Sequence, residues 1–207
     1  MGTRAQGTGE EFANAASHAL GVVLVLVSLP VLAAADAPPV GGKLGLTVFL
    51  GSMLLLYLAS ALYHALPDGP AKGRAQRLDH AAIFVFMAGS CTPFALQGAH
   101  AGPTLALIWG LAALGAALKL RDRLHGRATS TGVYFAFGWF ALLAIGPLAG
   151  HLPREALVLL LAGGAAYTVG TVFFLLDHRL RYGHLVWHLF VLGGSACHVA
   201  AALGGPR

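Results

Sequence analysis

Arg181-Tyr182-Gly183-His184-Leu185-Val186-Trp187-His188 opens an apolar run that continues to about Leu203. A helix of about 20 apolar residues crosses the hydrocarbon core of a bilayer. On such a helix His184 and His188, four residues apart, share one face and are offset by about 6 Å along the axis. Both imidazoles can therefore reach one metal ion. They sit one turn inside the run, where ionisable side chains are costly and tend to carry function.

Similar runs recur toward the N-terminus. They predict spans at about 12–35, 43–66, 78–97, 104–120, 132–150 and 155–176, with the quoted stretch opening the seventh at 184–203. The chain is 57% hydrophobic and only 10% charged, with a mean hydropathy of +0.73, far from the composition of a soluble protein. The expectation is an all-α membrane protein, a single seven-helix transmembrane bundle covering residues 1–207. The polar first dozen residues include Glu10 and Glu11, which argues against the basic leader of a signal peptide. Ala35-Asp36-Ala37 mimics a cleavage site, but the run before it is longer than a signal core.

A net charge of +5 raises nucleic acid as a partner, and the distribution of the charge argues against it. Lys72, Arg74, Arg77, Lys119, Arg121, Arg123, Arg127, Arg179 and Arg181 cluster after spans two, four and six, on the same side as Arg4. The other side holds Lys43, Arg154 and Arg207. This asymmetry predicts a cytoplasmic N-terminus and an outside C-terminus in the cell membrane. Cys91 and Cys197 both fall inside apolar runs and read as small buried hydrophobes rather than a disulfide. Small residues at four-residue spacing (Ala162, Ala166 and Gly170; Gly193, Cys197 and Ala201) predict close packing of the sixth and seventh helices.

With that topology, the intramembrane polar residues fall at one depth near the cytoplasmic face. Glu11, Asn14 and His18 open the first span; Ser60, Tyr63 and His64 close the second; Asp79 and His80 open the third; His184 and His188 open the seventh. Ser60 and His64 share a helix face, as do Glu11, Asn14 and His18. Three neutral imidazoles (His64, His184 and His188) around one ion, with a fourth position open, form the pattern of a catalytic zinc site, and histidine-rich sites also suit copper, iron or nickel. Asp79 reads as a group that orients a water or a ligand imidazole, with an N-cap of the third helix as the competing role. His198, about 15 Å further along the seventh helix than His188, reads as a packing residue outside this site. His100, His125, His151 and His178 fall in loops and read as solvated.

Four stretches carry a family resemblance: Glu10-Glu11-Phe12-Ala13-Asn14-Ala15-Ala16-Ser17-His18; Ser60-Ala61-Leu62-Tyr63-His64; Leu78-Asp79-His80 with Thr92-Pro93-Phe94; and His184-Leu185-Val186-Trp187-His188. In this order and spacing the chain resembles the hemolysin III branch of the progestin and adipoQ receptor family. The resemblance implies a seven-helix bundle with a cytoplasmic N-terminus. It also implies a zinc ion held by His64, His184 and His188, with Asp79 contacting it through water, and a relationship to alkaline ceramidases.

These readings lead to a zinc-dependent hydrolase of an amide or ester bond in a membrane lipid, with Asp79 as base or water orienter and Ser60 as an oxyanion donor. The main alternative is a non-enzymatic receptor or membrane-homeostasis sensor in which zinc clasps helices two and seven. A lytic pore fits less well, because no polar stripe runs the depth of any span. A retinal protein is disfavoured, because none of Lys43, Lys72 and Lys119 lies in the seventh span.

Overall fold

Hydrocarbon offers no partner for backbone N–H and C=O groups, so a chain this apolar satisfies them internally as helices. The computed structural model describes residues 6–33, 40–98, 100–145 and 152–204. They form α1 (Thr8–Ala33), α2 (Gly42–Ala65), α3 (Pro70–Ala95), α4 (Ala101–Leu120), α5 (Arg127–Ile145), α6 (Arg154–Leu176) and α7 (Gly183–Ala202), and no strand occurs among the described residues. Six of the helices, all but α5, are long and apolar enough to cross a membrane. The fifth expected span runs on to Gly150, and residues 146–151 lie outside the described residues. So do Arg4, Ala35-Asp36-Ala37, the two prolines of the turn that follows it, His151 and Arg207.

The chain runs up and down. The first turn of α1 meets the end of α2 through Glu11 and His64, and the start of α7 through Glu10 and the Tyr182 backbone N–H. The start of α3 joins the same end through Lys72 and Glu11. The end of α4 meets the start of α5 through Lys119 and Ser130, and the start of α5 meets the end of α6 through Arg127 and Asp177. At the opposite end the Val40 N–H donates to the Ala202 carbonyl, 2.7 Å away.

One boundary departs from expectation. The third helix begins at Pro70 rather than near Leu78, so Lys72, Arg74 and Arg77 belong to its first two turns and not to a loop. Proline at the first helical position presets the backbone there, and its missing N–H costs nothing at a helix start. Hydropathy alone marks where the helix meets the apolar core, two turns after it has formed. Asp79 is consequently nine residues inside α3, which removes its reading as an N-cap.

α3 is the central helix, packed against α2, α4, α5 and α7. Its small residues permit this. A methyl group added at Gly89 would strike Ser52 of α2, while Gly115 of α4 makes room for the Phe84 ring. The α6–α7 contact uses Gly163 and Gly194 together with Gly170, the last of which belongs to the expected α6 ridge. A methyl at Gly163 would collide with the His198 ring, and one at Gly194 would lie 2.6 Å from the Tyr167 ring, whereas Ala162 and Gly193 are exposed. In Ala162-Gly163-Gly164-Ala165-Ala166 small residues occupy every face of the helix, so their spacing does not select the face that packs. The outward residues of α1 and α4, such as Leu20, Val23, Leu24, Leu107 and Leu114, are large and apolar, as a lipid-facing surface requires.

Candidate metal centre

The three expected histidines converge. His64 closes α2, His184 and His188 open α7, and a ring nitrogen from each lies within 4.8 Å of one from each of the others. Their ring centroids form a nearly equilateral triangle: His64 to His184 is 5.0 Å, His64 to His188 is 5.1 Å, and His184 to His188 is 4.7 Å. The planes are inclined to one another by 60°, 71° and 67°, so the rings face a shared centre rather than stacking on each other. His188 and His64 are almost wholly buried.

Each ring has its Nδ1 engaged, and the partners fix the tautomer. His64 Nδ1 lies 2.7 Å from Glu11 Oε2, and His184 Nδ1 lies 2.8 Å from Asp177 Oδ2. A carboxylate accepts only, so both Nδ1 atoms carry the proton. For His188 the logic runs through Ser17, which donates its one proton to the Asn14 carbonyl at 2.7 Å. The Ser17 oxygen therefore accepts from His188 Nδ1–H at 2.9 Å, with the Asn14 carbonyl 3.3 Å from the same nitrogen. All three Nε2 atoms are left as lone-pair donors. His64 Nε2 is buried with no hydrogen-bond partner. An orphaned imidazole lone pair facing two others, each backed by an acceptor on Nδ1, fits a bound metal ion, since metal-ligating histidines are oriented in this way. The donor set suits zinc, copper, iron or nickel.

Both carboxylates are anchored in turn. Glu11 Oε1 lies 3.0 Å from Lys72 Nζ, and Asp177, itself buried, pairs with the Arg127 guanidinium. α1 supplies most of this outer layer. Glu11 holds His64, Asn14 and Ser17 hold His188, and His18 stacks on His188 with centroids 3.7 Å apart. Of the expected stripe on the first helix, Glu11 and Asn14 hydrogen-bond the clustered imidazoles and His18 packs against one of them.

A cavity of about 480 Å³ adjoins the cluster, lined by His184, His188, His18, Ser60, Asp79 and His80 at one end. Its remaining wall, from α3, α5, α6 and α7, is largely apolar and includes Phe86, Met87, Trp139, Leu161 and Trp187. Phe135, Trp139 and Leu161 line the cavity while also being exposed on the outer surface of α5 and α6, so the cavity opens sideways between those helices. Ser60 lies beside Asp79, its hydroxyl facing that carboxyl. His198 lines the far end and braces α6 by donating from Nε2 to the Leu160 carbonyl at 3.2 Å, in keeping with its reading as a packing residue outside the cluster.

The sequence alone assigns Asp177 no role, Arg127 only a topological one, and Ser17 only a place in a motif. Asp177 is seven residues before His184, at the end of α6 and just before the basic stretch of Arg179 and Arg181. An acid at that boundary runs against the local charge pattern, and that was the available signal.

A family model described as haemolysin-III related matches residues 7–199. The chain is 40% identical to Hemolysin-3 of Bacillus cereus, over 90% of this chain and 87% of that protein. It is 38% identical to the Hemolysin-3 homolog of Bacillus subtilis, over 90% of each. A more distant likeness, 24% over 93% of this chain and 82% of the relative, is to the monocyte to macrophage differentiation factor of Homo sapiens. Together with the six long apolar helices, these similarities identify a multi-pass integral membrane protein.

Proposed function

The chain belongs to the haemolysin-III-related family, and we propose that it is a zinc-dependent hydrolase acting on an amide or ester bond of a membrane lipid. The observation that carries this reading is the meeting of two features. Three tautomer-fixed imidazoles present Nε2 to a common centre, and an apolar cavity with Asp79 and Ser60 in its wall reaches that centre. His64, His184 and His188 are the ligands. A zinc ion held there supplies Lewis acidity to a carbonyl and lowers the pKa of a water toward neutrality. Asp79 takes the proton from the attacking water. Ser60, beside Asp79 in the same wall, donates its hydroxyl proton to the oxygen on which charge develops. Phe86, Met87 and Leu161 hold the tail and keep water from the reacting bond.

In this reading all seven helices cross the membrane with the N-terminus cytoplasmic, as the basic residues at the histidine end of the bundle support. The scissile bond then lies about one turn below the cytoplasmic interface, with the tail in the bilayer half of the cavity. The test is purified protein in lipid nanodiscs, with and without chelator, against ceramides, lysolipids and acylated lipids. Turnover that disappears with chelator and returns with zinc is expected, and Asp79→Asn should abolish it while retaining metal. No turnover with any lipid class, or equal turnover without metal, counts against a hydrolase.

One observation favours a second reading. The histidines and their partners join α1, α2, α6 and α7, as a structural clasp in a receptor or sensor would. If Asp79→Asn keeps metal and biological effect while His188→Ala loses both, the clasp is the better account.

A further inference from the structure

Among the described residues, His18 is the one fully buried imidazole at this end of the bundle that is not a candidate ligand; His80, in the same cavity wall, is only partly buried. His18 is 3% exposed, stacks on His188 with planes 10° from parallel, and leans on Tyr57 with centroids 5.0 Å apart. Face-to-face stacking excludes it as a fourth ligand in this arrangement, because the in-plane lone pair of one ring runs alongside that of the other and does not converge on the same ion. Yet both its nitrogens are buried without a hydrogen-bond partner. A neutral imidazole always carries one N–H and one lone pair, and leaving both unmade in an apolar interior is costly. A phenyl ring would stack equally well without that cost.

The unmet polar atoms are also not scattered. Among the described residues, Asn14 Oδ1, the two His18 nitrogens and His64 Nε2 surround the metal end of the bundle, while His198 Nδ1 lies away from it. The His64 atom is accounted for by a metal. The His18 ring lines the cavity together with Ser60 and Asp79.

We propose that His18 is a ligand-contacting residue that hydrogen-bonds the polar group, a carbonyl, amide or hydroxyl, of an amphiphile whose tail fills the cavity. This rests on the reading of the cavity as a lipid site, and it does not require turnover. Clamped between His188 and Tyr57, the ring cannot swing, so the bond is directional. It favours amphiphiles with a polar group beside the cluster over plain hydrocarbon.

The experiment uses full-length, metal-loaded protein in detergent micelles, with radiolabelled palmitamide and hexadecane as probes of matched tail. His18→Phe keeps the stack and removes the nitrogens. It should retain metal like the wild type, bind palmitamide about tenfold more weakly, and bind hexadecane within about twofold of wild type. Unchanged palmitamide affinity overturns the proposal. Loss of metal to the extent seen in His188→Ala overturns it too, since His18 would then act on the metal centre. A wild type that does not prefer palmitamide to hexadecane removes the lipid-site reading and the proposal together. Preference without turnover refutes only the hydrolase. Should His18→Phe fail to fold, the histidine side-chain ¹⁵N resonances of wild-type protein decide: a shift of the His18 signals with palmitamide is expected, and no shift overturns the assignment.

Discussion

Replacing Glu11 by alanine separates two interactions that one carboxylate makes. Oε2 accepts from His64 Nδ1 at 2.7 Å, and Oε1 pairs with Lys72 Nζ at 3.0 Å. The Lys72 pair lies toward solvent, with side-chain exposures of 12% and 21%, and a pair of that kind contributes about 1 kcal/mol or less. The histidine contact involves a ring that is fully buried, and a hydrogen bond to a charged acceptor contributes roughly 1.5–3 kcal/mol. Losing it also frees the His64 tautomer, so the ring spends time with Nε2 protonated and unable to ligate. The histidine contact therefore dominates. Glu11→Ala should weaken metal binding about 10- to 100-fold. Lys72→Ala, which leaves the carboxylate on His64, should change it by no more than about threefold. A competition titration against a chromophoric zinc chelator, on purified protein in nanodiscs, measures both. If Lys72→Ala costs as much as Glu11→Ala, or if Glu11→Ala binds metal normally, the orienting role given to Glu11 is wrong.

Ser17→Ala should weaken metal binding only a few-fold in the same titration, because the Asn14 carbonyl remains 3.3 Å from His188 Nδ1. Asp177→Asn should weaken it about tenfold and also lower thermal stability, since the buried carboxylate holds both His184 and Arg127; a melting temperature that does not move would separate these two roles. Gly163→Ala places a methyl against His198 and 2.9 Å from the Gly194 carbonyl, and should cost about 1–3 kcal/mol with metal stoichiometry intact, read by thermal unfolding in detergent. Chelation should destabilise the wild type by about 2.7 kcal/mol relative to protein in free metal at 100 times its Kd, and should leave His188→Ala unaffected.

The histidine pair and the apolar runs were legible because each depends on a local period: four residues for a shared helix face, and about 20 for a membrane crossing. The meeting of His64 with His184 was legible one step further on, because alternating spans and asymmetric loop charge bring the end of one helix level with the start of another. What the sequence concealed depends on lateral packing, which has no period. Asp177 reaches His184 because the α6–α7 connection folds back over the end of the bundle, and Gly163 rather than Ala162 faces α7 because of how α6 is rotated. The start of α3 was misjudged because hydropathy reports where a helix enters lipid. Its hydrogen bonds begin earlier, at Pro70, and that displacement turns Asp79 from a capping residue into one buried beside Ser60.

The partners of His188 stand far from it along the chain: Ser17 is 171 residues away and the Asn14 carbonyl 174. α1 is therefore made well before α7, and its polar face lacks these partners until α7 is in place. Until α7 has inserted, Glu11, Asn14 and Ser17 sit on a helix that lacks His184 and His188, and α2 offers a single imidazole. A chain stalled or clipped before residue 183 can insert its apolar helices but cannot assemble the cluster. An assembled histidine cluster thus reports that the chain through α7 has been made and inserted.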